Sequence, residues 1–149
     1  MNKKEEIYQN IIAFLKQGQG LKRVTICSEI VNLLFSSFED MNWVGFYEKD
    51  PIRNELFLSI YVGSEACEKI NIDSGVCGKC YREQTTQIVS NVHEIPYHIA
   101  CSSSTLSEIV VPVFENEKCV MILDIDSDNE NVFDEIDQKY LEEIVKFIK

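Results

Sequence analysis

The chain has 149 residues, 45% of them hydrophobic and 26% charged, a length and balance that suit one folded domain and exclude a disordered or repetitive polymer. Its 25 acidic against 14 basic residues give a formal net charge of −11. That excess argues against a nucleic-acid partner, because such binding rests on Lys and Arg neutralising phosphates. The opening MNKKEEIYQNII has no sustained apolar run, so neither a secretory signal nor a membrane span is expected, and a cytoplasmic location is.

Apolar residues at Ile7, Ile11, Ile12, Phe14 and Leu15 predict a helix over 5–17. A second over 21–38 follows from Val24, Ile30, Val31, Leu34 and Phe35, with Gly18 and Gly20 between the two. Residues 42–48 and 55–62 are rich in aromatic and β-branched types and are parted by KDPIRN, which predicts a β-hairpin. Its first strand sets Trp43, Gly45 and Tyr47 on one face, where the two rings could wall an apolar slot above Gly45. Residues 63–74 are irregular, and GVCGKCYREQ reads as a short helix opening at a Ser-Gly turn with Cys77 in its first turn. The helix dipole there favours a thiolate, so a lowered pKa is expected for Cys77.

The stretch 91–104, NVHEIPYHIACSSS, has no period and reads as a long loop. Residues 107–114 and 118–126 read as two strands joined by a polar turn at 115–117, and alternation puts Asp124 and Asp126 on one face. A helix over 134–149 opens on FDEID and carries Ile136, Tyr140, Ile144 and Phe147 at helical spacing. Helices at both ends of antiparallel-looking strands give an α+β class rather than a βαβ series.

Six cysteines are many for a cytosolic chain, where structural disulfides seldom persist. Cys27 and Cys119 lie inside apolar runs and read as small buried hydrophobes. Cys101 stands in the polar loop after His98, and Cys67 and Cys77 precede an acidic stretch holding Glu108, Asp124 and Asp126. A thiol near several carboxylates suits redox chemistry on a small cationic or zwitterionic molecule. Inward-alternating carboxylates after the apolar run CVMIL are paired, hydrogen-bonded or used, unless they sit at a solvated strand end.

Cys77-Gly-Lys-Cys80 admits a thioredoxin-like reading, but the βαβ unit that this motif accompanies is missing. A zinc reading would add Cys101 and His98 or His93, which make only a loose second pair. His93 and His98 are also candidate bases beside their plainer role as hydrogen-bonders.

The stretches NWVGFY (42–47), GVCG (75–78), NVHEIPYHIACSSSTLSEIVVPV (91–113), LDIDS (123–127) and FDEID (133–137) together resemble the free methionine-(R)-sulfoxide reductases, proteins of the GAF fold. The similarity spans almost the whole chain after the first helix. The resemblance implies a single GAF domain over 1–149, an antiparallel sheet flanked by helices, and terminal helices packed together. It implies that Cys101 is the nucleophile, Cys77 the principal resolving cysteine and Cys67 a second cysteine in thiol-disulfide exchange. It further implies that Trp43 and Tyr47 hold the methylthio end, while Glu108, Asp124 and Asp126 bind the amine and assist protonation.

Free methionine sulfoxide would be the substrate and a thioredoxin-like dithiol the reductant, with no cofactor or metal and a homodimer among the compatible assemblies. Cys80 departs from the family's pattern. The alternatives are a GAF module that binds a small molecule, for which NVFDE resembles a motif of nucleotide-binding members, and a thiol redox sensor without turnover.

Overall fold

Helix α1 (Lys3–Gln17) begins where the Asn2 side chain accepts a hydrogen bond from Glu5 N at 2.9 Å, and carries Glu5 and Glu6 in its first turn and Lys16 in its last. Its buried residues, Tyr8, Ile11 and Leu15, fall on one stripe. Helix α2 (Arg23–Ser37) buries Ile26, Cys27, Ile30, Val31 and Leu34 in the same way. In this computed structural model the described residues are 2–64, 66–98 and 101–149.

Strands β1 (Trp43–Lys49), β2 (Glu55–Val62), β3 (Lys69–Asn71), β4 (Gln87–Val89), β5 (Ser107–Glu115) and β6 (Lys118–Ser127) form one sheet in the order β3-β2-β1-β6-β5-β4, every neighbour antiparallel. Helix α3 (Gly75–Glu83) lies between β3 and β4, and helix α4 (Glu135–Ile144) follows β6. The expected helix over 134–149 is therefore shorter, its tail continuing as a 3-10 turn at Val145–Phe147. A second 3-10 turn, Val92–Glu94, interrupts the expected long loop. β3 and β4 are additions to the sequence reading: three residues show no alternation until a neighbouring strand supplies partners. No helix among the described residues is long and apolar enough to cross a membrane.

The alternation of β1, β5 and β6 divides the interior into two layers. Val44 and Phe46, Ile109, Val111 and Val113, and Leu123 and Ile125 face α1, α2 and α4. Trp43, Tyr47, Val110 and Ile122 face α3, packing with Leu56, Ile70, Val76, Cys77 and Cys80. A Cβ on Gly78 would meet the backbone of Ile72 at 2.7 Å, so a glycine lets α3 settle closely on the segment after β3.

A buried carboxylate joins the chain's two ends. Asp137, 1% exposed, accepts from the Tyr8 hydroxyl at 2.5 Å and from Lys4 Nζ at 2.7 Å. It also takes the backbone N–H of Asp134, whose own side chain accepts from Ile136 N and Asp137 N, a capping box that starts α4. The NVFDE stretch is thus the entry to α4, with Phe133 in the core. The contact between α1 and α4 agrees with the expected packing of terminal helices.

Removing the carboxylate strands the Tyr8 hydroxyl and leaves Lys4 only its looser pair with Asp134 at 3.6 Å, so Asp137→Ala should lower unfolding free energy by about 3 kcal/mol. Tyr8→Phe should cost about 1.5 kcal/mol, a hydrogen bond to a charged group. Urea unfolding should show both as shifts of midpoint at unchanged slope. A smaller effect for Asp137→Ala than for Tyr8→Phe would show that the carboxylate does not organise this junction.

Candidate active site

β6 and its two neighbours bring the expected acids together on the α3 side of the sheet. Asp126 pairs with Trp43 of β1 and Glu108 of β5, and Asp124 pairs with Gly45 and Val110. Glu108 and Asp124 are each 5% exposed. The atoms Glu108 Oε1, Asp124 Oδ1 and Asp126 Oδ1 are shut off from solvent and have no hydrogen-bond partner among the described residues.

Burial is the main cause that raises all three carboxyls well above the usual range, and next comes a neighbour's charge: Asp124 on Glu108, Asp126 on Asp124, Glu108 on Asp126. Such a cluster titrates as a unit and retains protons near neutrality.

Helix α3 points Cys77 at these acids: its Sγ, a Glu108 oxygen and an Asp124 oxygen lie within 4.8 Å of one another. The expected lowering of the Cys77 pKa is reversed. Burial first, then Asp124, Glu108 and Asp126, raise it well above an ordinary thiol, outweighing a helix terminus worth about half a unit charge. Cys80 turns elsewhere in the same helix, fully buried with its Sγ 3.6 Å from the Val110 carbonyl oxygen. The zinc grouping weighed for Cys77 and Cys80 with Cys101 is therefore not assembled.

Cys27 and Cys119 are buried as expected, each pushed up to about 11 by desolvation.

Aromatic rings close one side of the site. The Trp43 indole stacks with Tyr47, 6.0 Å away, and with Tyr61, 5.6 Å away. A Cβ on Gly45 would fall on that indole and within 2.6 Å of the Tyr61 Cβ. The space over Gly45, expected to be an open slot, is filled by Trp43 itself. Tyr61 was not anticipated, although its pairing opposite Gly45 is the kind of aromatic-over-glycine arrangement that alternation of both hairpin strands can reveal.

The Tyr47 hydroxyl donates to the Cys67 carbonyl at 2.8 Å, fastening the segment after β2 to β1. Cys67 in turn forms a disulfide with Cys101, Cα atoms 5.2 Å apart across 34 residues of sequence. Cys101 and Cys67 are both half-buried, at the edge of the cavity.

His98 also lines that cavity, its Nε2 3.8 Å from Glu108 Oε1, too far for a hydrogen bond. Burial, then His93, lowers the His98 pKa, so the ring is neutral near pH 7. His93 is exposed and outside the cavity lining. Thr105 and Ser102, neither of which stands out in the sequence, also line the cavity near Cys101.

The cavity, partly open to solvent, has a volume of about 30 Å³, and no Lys or Arg is among its lining residues. The arrangement can bind a cationic group, supply protons from crowded carboxyls, and convert a disulfide into two thiols at its edge.

Residues 24–148 match the GAF domain family. The chain is 36% identical to the free methionine-R-sulfoxide reductase of Saccharomyces cerevisiae, covering 99% of this chain and 86% of that protein. It is 42% identical to GAF domain-containing protein A of Dictyostelium discoideum, over 97% and 92% of the two chains. The free methionine-R-sulfoxide reductase of Neisseria meningitidis, solved in complex with its substrate, superposes with a TM-score of 0.93 at 35% identity, covering 99% of this chain and 89% of that one. Fold, acid-lined cavity and relatives agree: the chain belongs to the GAF-domain family, among its free methionine-R-sulfoxide reductases.

Proposed function

We propose that this chain reduces free L-methionine-(R)-sulfoxide to methionine, and that the Cys67–Cys101 disulfide is the oxidised product of its own turnover. The observation that carries the reading is that disulfide, set at the edge of a cavity walled by Trp43 and Tyr47 and floored by buried carboxyls. In the reduced enzyme the Cys101 thiolate attacks the sulfoxide sulfur while a carboxyl of the Glu108, Asp124 and Asp126 cluster protonates the sulfoxide oxygen. Methionine departs and Cys101 is left as a sulfenic acid. The Cys67 thiol then attacks the sulfenic sulfur, water leaves, and the disulfide forms. A thioredoxin-like dithiol restores both thiols by exchange and is itself oxidised to a disulfide.

The family resemblance favours Cys77 as principal resolving cysteine. The pairing of Cys67 with Cys101 and the raised pKa of Cys77 support giving the first resolving step to Cys67. Cys77 then serves inside the acid cluster. Trp43 and Tyr47 face the methylthio end, and the ammonium group of a free amino acid meets the carboxyls. An amide in a peptide could not take that position, since it would leave buried acids without a cation. Residues 1–149 act as one GAF domain in this reading, α1 being joined to α4 by Asp137. Working in the cytoplasm would keep the exchange supplied with reductant.

The test is turnover of separated free methionine sulfoxide epimers with a thioredoxin system. Cys101→Ser should abolish reduction. Cys67→Ser should release about one methionine per chain and stall with Cys101 oxidised, whereas Cys77→Ser should continue to cycle. A stalled Cys77→Ser beside a cycling Cys67→Ser would exchange the two roles, and turnover by Cys101→Ser near the wild-type rate would remove the nucleophile from the scheme.

The Tyr47 hydroxyl has a separable part, because Tyr47→Phe keeps the ring and loses only the bond to Cys67 O. Disulfide formation in Tyr47→Phe should slow severalfold in single-turnover quench measurements while release of the first methionine stays near wild type. Equal slowing of both steps would place the hydroxyl in the chemistry instead.

The raised carboxyls also set a sign for stability. They keep protons in the folded chain that the unfolded chain has already released, so unfolding frees protons. Stability should fall as pH rises from the ordinary carboxylate range toward the raised folded values. Asp124→Asn should therefore gain about 1 kcal/mol at neutral pH and flatten that fall, while losing about a hundredfold in kcat/KM. Denaturation midpoints measured across pH check the first claim, and an unchanged or lowered midpoint near neutrality refutes it.

A further inference from the structure

We infer that the acid pocket is also a binding site for a thiophilic divalent cation, zinc above all, held by Cys77, Glu108, Asp124 and His98 and competing there with the substrate's ammonium group. The competition rests on the functional reading above; the metal site does not.

Three donors are already grouped, since Cys77 Sγ and one oxygen each of Glu108 and Asp124 lie within 4.8 Å of one another. Tetrahedral zinc, with bonds of about 2.3 Å to sulfur and about 2.0–2.2 Å to oxygen or nitrogen, sets its donors roughly 3.5 Å apart. The cluster would close around an ion by a movement of about 1 Å, within the reach of side-chain torsions. His98 Nε2, on the facing loop, stands 3.8 Å from Glu108 Oε1 but outside the three-donor grouping, and would swing inward to become a fourth ligand.

The second observation is independent of this grouping. Glu108 Oε1 and Asp124 Oδ1 are buried without hydrogen-bond partners, on residues only 5% exposed, and no Lys or Arg lines the cavity to balance them. Two acceptors buried face to face are balanced either by the protons that they retain or by a cation that displaces those protons.

Size and donor type choose which cation. The cavity, about 30 Å³ and partly open to solvent, is narrow for an ion that retains several waters, as magnesium does, or that needs six to eight oxygens, as calcium does. A thiol with an imidazole among the donors selects zinc and its thiophilic neighbours. Cys101 is not among the ligands, so the ion blocks the pocket without entering the redox chemistry. This set is distinct from the Cys-x-x-Cys zinc motif, because Cys80 faces Val110 and contributes nothing.

Cobalt(II) serves as the probe, added to protein that carries the Cys67–Cys101 disulfide. In that form the four free cysteines, Cys27, Cys77, Cys80 and Cys119, are all buried, so surface thiols do not compete. One equivalent should give a thiolate-to-cobalt charge-transfer band that zinc abolishes. Cys77→Ser should lose the band, Asp124→Asn and His98→Ala should weaken binding at least tenfold, and Cys119→Ser should leave it unchanged.

The absence of a band, or a band that survives Cys77→Ser or disappears in Cys119→Ser, overturns the site. Near-ultraviolet circular dichroism checks that each variant is folded; should Cys77→Ser be unfolded, undiminished binding by both Asp124→Asn and His98→Ala overturns the site instead. Competition is read in a Cys67→Ser, Cys101→Ser variant, where free methionine should raise the apparent cobalt Kd at least tenfold and N-acetylmethionine should not. Cobalt held through Cys77 but indifferent to methionine overturns the sharing of the pocket, and the turnover assay reports separately on the reductase reading.

Discussion

Burying three carboxyl groups on one face of a sheet, with no Lys or Arg beside them among the described residues, is the constraint around which this protein is arranged. Desolvation disfavours their charge and mutual repulsion disfavours it further, so they persist only where the surrounding framework is strong enough to hold them. The opposite face of the same strands supplies that strength. Ile109, Val111, Val113, Leu123 and Ile125 alternate with the acids and are fully or almost fully buried beneath the helices. A slip of one residue in β6 would exchange the two faces, sending Asp124 and Asp126 into that apolar layer and Leu123 and Ile125 into the polar cavity. The acids that weaken the fold therefore also pin its register.

The site's parts are coupled through short chains of contact. Gly45 makes room for the Trp43 indole, Tyr61 stacks on that ring's other neighbourhood, and Tyr47 holds the backbone of Cys67. The aromatic wall of the cavity and the segment carrying Cys67 are consequently one piece of structure. Remote from it, Asp137 ties α1 to α4 through Tyr8 and Lys4, so the helical layer beneath the strands is closed by a polar clasp as well as by apolar packing.

Strong periodicity made much of this legible in the sequence. The Leu123 to Ser127 run LDIDS alternates visibly, and the four helices and four longer strands follow from apolar spacing and turn residues. The two three-residue strands could not be read, since their identity comes from pairing with β2 and β5. The sign of the Cys77 shift is hidden from the sequence for a related reason. A position in the first turn of a helix is visible in sequence, but the depth of burial and the facing acids that overrule the dipole are products of the fold. NVFDE illustrates the same limit, for a nucleotide-like motif becomes a helix cap once Asp134 and Asp137 exchange hydrogen bonds.

The size of the cavity in the disulfide form has a kinetic meaning. Some 30 Å³ lies between the rings, α3 and the Cys101 loop, a small space for an amino-acid sulfoxide, and the Cys67–Cys101 bond ties together the two segments that carry those residues. In the cycle proposed above, sulfoxide and reductant would then meet two different forms of one molecule, the dithiol and the clamped disulfide. Excess sulfoxide would not trap the oxidised enzyme in a dead-end complex, and the catalytic cycle would alternate strictly between its halves without inhibition by its own substrate.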